Sequence, residues 1–277
     1  MPGGFVTWEQ ISGLDPPPAD HRIRYGRERP MFGDLRLPEA DGRHPIAVVL
    51  HGGCWRAEND LRHISHLSAA LTRAGIATWT LEYRRIGDEG GGWPGTFVDV
   101  SRGTEFVRTL AKTFPLDLER IALIGHSAGG HLALWLAARH NLPRESQLFP
   151  TQPLAVHGVV SLAAITDLRQ FALGTAYCNR SVAMLLGGAP DDVAQRYSQA
   201  SPIDLVPLGV PSRLLHGDSD TLVPMEQSRR FADLCSAKGD DARFWLVQGA
   251  AHFDLIAPFS PAWATVEKAV LSLIADN

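Results

Sequence analysis

Along most of the chain, continuous apolar runs alternate with apolar residues spaced three or four apart. Ile46, Ala47, Val48, Val49 and Leu50 form an unbroken apolar run, the mark of a strand buried on both faces. Leu61, Ile64, Leu67 and Leu71 then recur at helical spacing up to Gly75, which predicts a helix ending there. The same reading predicts strands over 76–83, 120–125, 156–163, 212–216 and 242–247, and helices over 97–110, 226–237 and 262–274. Ahead of these, residues 32–37 alternate apolar and polar side chains, as a half-exposed strand near a sheet edge does. The stretch before it is rich in Pro and Gly, with Pro16, Pro17 and Pro18 as a stiff spacer.

Strand and helix patterns in alternation imply an α/β fold with a mostly parallel central sheet and helices on both faces. Right-handed crossovers then set the winding. Residues 142–153 and 167–202 interrupt the alternation, which predicts a small cap or lid, at 165–202, inserted over the sheet's active edge. Too few residues remain for a second core, so 1–277 is expected to be one domain.

Composition narrows the partners. The 277 residues are 45% hydrophobic and 20% charged with a net charge of −4, which gives no support for nucleic-acid or membrane-surface binding. The start at Met1 lacks a basic region and a long apolar core, and no apolar stretch approaches the roughly 20 residues of a membrane span. Cys54, Cys178 and Cys235 are widely spaced and odd in number. They read as free thiols in a reducing compartment, and a cytoplasmic protein is expected.

The chemistry gathers at strand ends. Gly125-His126-Ser127-Ala128-Gly129 lies between an apolar strand and an apolar helix, the context of a nucleophile elbow that pushes a serine out of a tight turn. A serine hydroxyl needs a base, and the base an orienting acid. Asp220, beyond the strand at 212–216, is the better acid, while Asp218 is placed to brace the turn. His252, just past the strand at 242–247, is the base by order and position. His51-Gly52-Gly53-Cys54-Trp55 follows the buried strand, and its turn frees the amides of Gly53 and Cys54 for an oxyanion. The Ala128 amide adds a donor at a helix start. His126 and His131 are expected to shape the elbow, and His63, His66 and His140 to lie on solvated helix faces. His63 and His66 have no third metal ligand at a recognisable interval, so no metal and no cofactor are expected. The Cys54 side chain is taken as incidental.

With these residues in hand, the chain resembles the α/β-hydrolase superfamily, in the small esterase branch of kynurenine formamidase-like and feruloyl-esterase-like enzymes. The likeness rests on the His51–Trp55 loop, Glu82-Tyr83-Arg84-Arg85, Gly92-Trp93-Pro94-Gly95 leading to Asp99, the elbow, and the loops of Asp220 and His252. It implies Ser127, Asp220 and His252 as a triad, with Gly53, Cys54 and Ala128 as oxyanion donors. Lipase-like relatives carry a third glycine where this chain has Cys54, which moves it away from large lipid substrates. The expected activity is hydrolysis of small carboxylic esters through an acyl-enzyme. Aryl formamide hydrolysis and a catalytically silent small-molecule binder stay open as alternatives. Trp55, Trp93 and Tyr177 are candidate walls of the substrate pocket. Leu173, Met184, Leu185 and Leu186 are further candidates, for which packing within the cap competes.

Overall fold

The apolar run at 46–50 forms the last five residues of β3 (His44–Leu50), whose side chains divide between two separate cores. Ile46, Val48 and Leu50 enter one, while Ala47 and Val49 enter the other. The computed structural model describes residues 4–274, so the ends of the expected 1–277 domain, including Met1, lie outside the described residues. Around β3 stand β1 (His21–Arg24), β2 (Phe32–Arg36), β4 (Ala77–Leu81), β5 (Leu116–His126), β6 (Gly158–Leu162), β7 (Ser212–Gly217) and β8 (Ala242–Val247). They make one eight-stranded sheet in the order β1-β2-β4-β3-β5-β6-β7-β8. β2 is antiparallel to β1 and β4, and the strands from β4 to β8 are parallel.

The helices cover both faces. They are α1 (Trp8–Ser12), α2 (Ser65–Arg73), α3 (Gly95–Glu105), α4 (Val107–Leu110), α5 (Ala128–Ala138), α6 (Leu168–Ala172), α7 (Tyr177–Leu186), α8 (Ala194–Ala200), α9 (Glu226–Ala237) and α10 (Trp263–Ile274). Ile11 of α1, Leu67 and Leu71 of α2 and Val266 and Val270 of α10 pack on one face. Phe97 of α3, the apolar residues of α5 and Phe231 of α9 fill the other. Every residue of α5 is buried, as an apolar surface all round requires. Each fully buried leucine there contributes about 2 kcal/mol. Helices α6, α7 and α8 lie in the expected 165–202 insertion between β6 and β7. Among the described residues no helix is long and apolar enough to cross a membrane.

Several expectations need correction. β2 is not half-exposed: Gly33, Asp34, Leu35 and Arg36 are all buried, because β1 forms the edge outside it. β1 has no apolar period to betray it (His-Arg-Ile-Arg). Its Arg22 clamps buried Asp34 through Nε at 2.7 Å and Nη2 at 2.9 Å. The helix over 97–110 breaks at Phe106 into α3 and α4. Cys54 and Cys178 are not free thiols but a disulfide with Cα atoms 5.0 Å apart, inside the usual range for such a bond. Only Cys235 is free among the described residues, and it is buried. His63 is not solvated either. It is buried at 4% exposure, edge-on to Trp8 and His51 with centroids 5.2 and 5.8 Å away.

Strand register brings the site together. Leu50 pairs with Gly125, so the loop after β3 and the turn after β5 leave the sheet side by side. Gly217 pairs with Val247, so the loops after β7 and β8 also start level.

Candidate active site

Ser127 sits between β5 and α5 with φ 55° and ψ −119°, a backbone that side-chain-bearing residues rarely adopt. The turn closes tightly around it. A Cβ on Gly125 would meet the Gly129 carbonyl oxygen at 2.1 Å, and one on Gly129 would meet the Leu50 oxygen at the same distance. Both glycines are therefore required by space. The Ser127 amide donates to the Leu162 carbonyl at 2.8 Å, which ties the turn to β6.

The other two predicted residues meet on neighbouring loops. His252 Nδ1 lies 2.6 Å from Asp220 Oδ2, so Nδ1 carries the proton and Nε2 is left with a free lone pair. Asp220 Oδ1 accepts the amides of Leu222 at 2.8 Å and Val223 at 3.0 Å. His216 Nε2 approaches Oδ2 at 3.4 Å. Burial alone would raise the Asp220 pKa, but hydrogen bonds from His216 and His252, with the Val223 amide adding to them, outweigh it. The carboxyl is held well below the ordinary carboxylate range. Asp218 accepts the Gly249 amide at 3.0 Å, bracing one loop against the next as expected.

His126 and His131 work as supports. His126 Nε2 donates to the His252 carbonyl at 3.0 Å. Burial, with the neighbouring His252 and His63 adding to it, pushes the His126 pKa far below its ordinary value. His131 accepts from Trp55 Nε1 at 3.1 Å and donates from Nε2 to the Ala200 carbonyl at 2.9 Å. Burial lowers its pKa to about 4.

The loop after β3 is held from below. Glu82 meets His51 Nε2 at 2.9 Å through Oε1 and accepts the Leu61 amide at 3.1 Å through Oε2. The Tyr83 hydroxyl donates to the His51 carbonyl at 2.7 Å. Arg84 makes a two-pronged contact with buried Asp99, at 2.8 and 2.7 Å. Among the described residues the amides of Gly53 and Cys54 donate to no other protein group. The Ala128 amide, in the first turn of α5, likewise has no protein acceptor among the described residues.

Ser127, His252, Gly53 and Cys54 all line one cavity of about 350 Å³, which is mostly apolar. Of the three proposed wall residues, only Tyr177 lines it. Trp55 is fully buried, since its ring points into the core to bond His131. Trp93 packs on Phe97 at 5.3 Å between centroids, and its amide donates to the Leu185 carbonyl at 2.7 Å. Leu185 and Leu186 belong to the core, Leu173 is 80% exposed, and Met184 accepts from Arg56 outside the cavity. Trp8, Asn59, His63, His126, Cys178, Leu222, Val223 and Phe253 line the cavity as well, and the sequence marked none of them as a wall. Phe253, adjacent to His252, could have been found by its position; Trp8 carried no signal. Asp254 was missed as well. Its Oδ2 accepts the amides of Val6 at 3.2 Å and Ala251 at 3.0 Å, fastening the N-terminal segment to the loop of His252. Among the described residues no three His, Cys, Asp or Glu side chains are grouped to hold a metal ion.

Known proteins similar to this chain identify its family and its fold. The chain is 29% identical over 203 residues to the probable carboxylic ester hydrolase LipM of Mycobacterium tuberculosis, a match covering 72% of this chain and 47% of LipM. It therefore spans about half the length of that relative. It is 23% identical over 240 residues to kynurenine formamidase of Drosophila melanogaster, covering 86% of this chain and 75% of that enzyme. A truncated form of a carbohydrate esterase from gut microbiota superposes with a TM-score of 0.80 at 21% identity, over 94% of this chain and 99% of that one. That likeness shows the α/β-hydrolase fold. A family model, BD-FAE, matches residues 34–234, and the chain belongs to the BD-FAE family.

Proposed function

We propose that this chain is a serine carboxylic ester hydrolase acting through an acyl-enzyme on small esters. The observation that carries the reading is the short His252–Asp220 contact on loops bordering the cavity that Ser127 also lines. Ser127 Oγ attacks the ester carbonyl carbon while His252 Nε2 takes its proton. The amides of Gly53, Cys54 and Ala128 receive the developing oxyanion, each donor contributing roughly 3 kcal/mol. The tetrahedral intermediate collapses as imidazolium protonates the leaving alcohol. Water, deprotonated by His252, then releases the acid and frees Ser127. Asp220 keeps the imidazole in the productive tautomer and stays ionised throughout.

The size of the cavity favours small substrates. The segment 165–202 acts as the cap, supplying Tyr177 and Cys178 to the wall. A second reading, aryl formamide hydrolysis, is favoured by the aromatic residues Trp8, Tyr177 and Phe253 around the cavity and by the formamidase relative. The cytoplasmic location expected from free thiols loses that support, because disulfides such as Cys54–Cys178 are rare in reducing compartments. A panel of p-nitrophenyl acetate, butyrate and octanoate with N-formylkynurenine tests the assignment. Efficient turnover of acetate or butyrate supports the esterase. Formyl release without ester turnover replaces it with the formamidase, and inactivity towards all four leaves a binding protein on the same fold.

A further inference from the structure

Cys54 and Trp55 are consecutive, neither is glycine, and both have positive φ, 54° and 58°. L side chains enter that region at a cost, and they stay there only where surrounding contacts hold them. Trp55 is held by burial and by its bond to His131. Cys54 is held by its disulfide to Cys178, in the first turn of α7 and 124 residues away in sequence.

The same loop docks α7 by four further contacts, one of them the bond from Arg56 Nη2 to Met184 Sδ at 3.1 Å. Arg56 Nε donates to Ser181 Oγ at 2.8 Å, and its guanidinium lies 4.3 Å above the Tyr177 ring. The Tyr177 hydroxyl donates to Glu58 at 2.9 Å. Tyr177 is half exposed, and exposed polar and cation–π contacts hold weakly. The covalent bond is thus the strong tether between the cap and the loop whose Gly53 and Cys54 line the cavity. Both of its cysteines line that cavity, which leaves the bond open to a small thiol.

We propose that Cys178 is a positioning residue: through its disulfide it holds the Cys54 amide where the oxyanion develops, and this makes turnover sensitive to thiols. The inference rests on the esterase reading above. Reduction by a dithiol such as dithiothreitol is balanced. One thiolate attacks a cystine sulfur to form a mixed disulfide and expel a cysteine thiolate. The second thiol closes the reagent's ring and releases the other cysteine, so the protein gains two electrons and two protons. Once released, the loop at Cys54 relaxes toward ordinary backbone angles and the cap helix keeps only its weak contacts.

The test is kcat and KM for p-nitrophenyl butyrate, per active site titrated with a fluorophosphonate. It is run on the oxidised protein, the dithiothreitol-treated protein and Cys178→Ala, with thiols counted after denaturation. One thiol is expected in the oxidised protein and three after reduction. Reduction and Cys178→Ala should each lower kcat per titrated site by about tenfold or more, approaching the roughly 10²–10³-fold cost of losing one oxyanion donor. KM should change far less, because the interaction is made in the transition state. Reoxidation should restore the wild type. Three thiols in the untreated protein, or an unchanged kcat after full reduction, overturns the proposal whether or not the variant folds. A wild type that labels and turns over but ignores reduction refutes this proposal alone. A wild type that neither labels nor hydrolyses refutes the esterase reading itself.

Discussion

Replacing Asp220 by Asn probes the site through one atom. Oδ1 of Asp220 accepts two backbone amides, from Leu222 and Val223, so the carbonyl oxygen of the new carboxamide must take that position. Its NH2 then replaces the oxygen that lies 2.6 Å from His252 Nδ1. A donor there forces Nδ1 to become an acceptor and moves the imidazole proton to Nε2, the nitrogen that must accept the proton of Ser127. The packing is preserved and the tautomer inverted. The same change in a serine protease triad costs about 10⁴-fold in kcat, equivalent to about 5 kcal/mol of transition-state stabilisation. Asp220→Asn should therefore lose kcat for p-nitrophenyl butyrate by about 10³–10⁴-fold with little change in KM. Near-ultraviolet circular dichroism should match the wild type. A folded variant within about tenfold of wild-type kcat would refute the tautomer argument and the role of Asp220 with it.

Three further outcomes follow from distances and burial. Gly129→Ala drives a methyl onto the carbonyl oxygens of Leu50 and His51, at 2.1 and 2.5 Å, and should cost about 3 kcal/mol in urea denaturation; a wild-type midpoint would contradict the tight turn. Trp8→Ala removes one wall of the cavity and should raise KM for p-nitrophenyl butyrate more than for acetate, and equal KM values in variant and wild type for both esters would remove Trp8 from the site. Burial holds the folded-state pKa of His63 at about 3 and of His131 at about 4, and His126 is lowered too. The unfolded chain binds protons at these residues first, so stability should fall as pH drops below about 6.5, by at most about 1.4 kcal/mol per pH unit for each histidine. Equal urea midpoints at pH 7.5 and pH 5 would count against their burial as neutral rings.

Much of the sheet was legible because its signals are local. β3 ends in an uninterrupted apolar run, α5 is apolar on every side, and α9 and β8 begin and end where their periodicity does. The positions of Ser127, Asp220 and His252 at strand ends could be read from chain order, since a parallel sheet sends those loops to one edge. What escaped depends on contacts between distant segments. The edge strand β1 is charged and short, and it is defined by pairing with β2 rather than by its own residues. Trp55 looked like a pocket wall because it ends a glycine-rich loop, yet its positive φ turns the ring inward to His131. Trp8 reaches the cavity through contacts with distant residues: the Val6 amide is fastened to Asp254, 248 residues away, and the Trp8 ring packs on Phe253 at 5.6 Å. The pairing of Cys54 with Cys178 likewise needs the insertion to fold back over the loop after β3, which spacing alone does not encode.

As a nucleophile activated by His252, Ser127 should be the one side chain that reacts covalently with a serine-directed reagent. A fluorophosphonate should add one phosphonyl group per chain, with peptide mass spectrometry locating it on Ser127. Labelling should be abolished in Ser127→Ala and slowed by about 10³-fold or more in His252→Ala. A native protein that stays unlabelled, or that carries the phosphonyl group on another residue, would rule out Ser127 as the nucleophile.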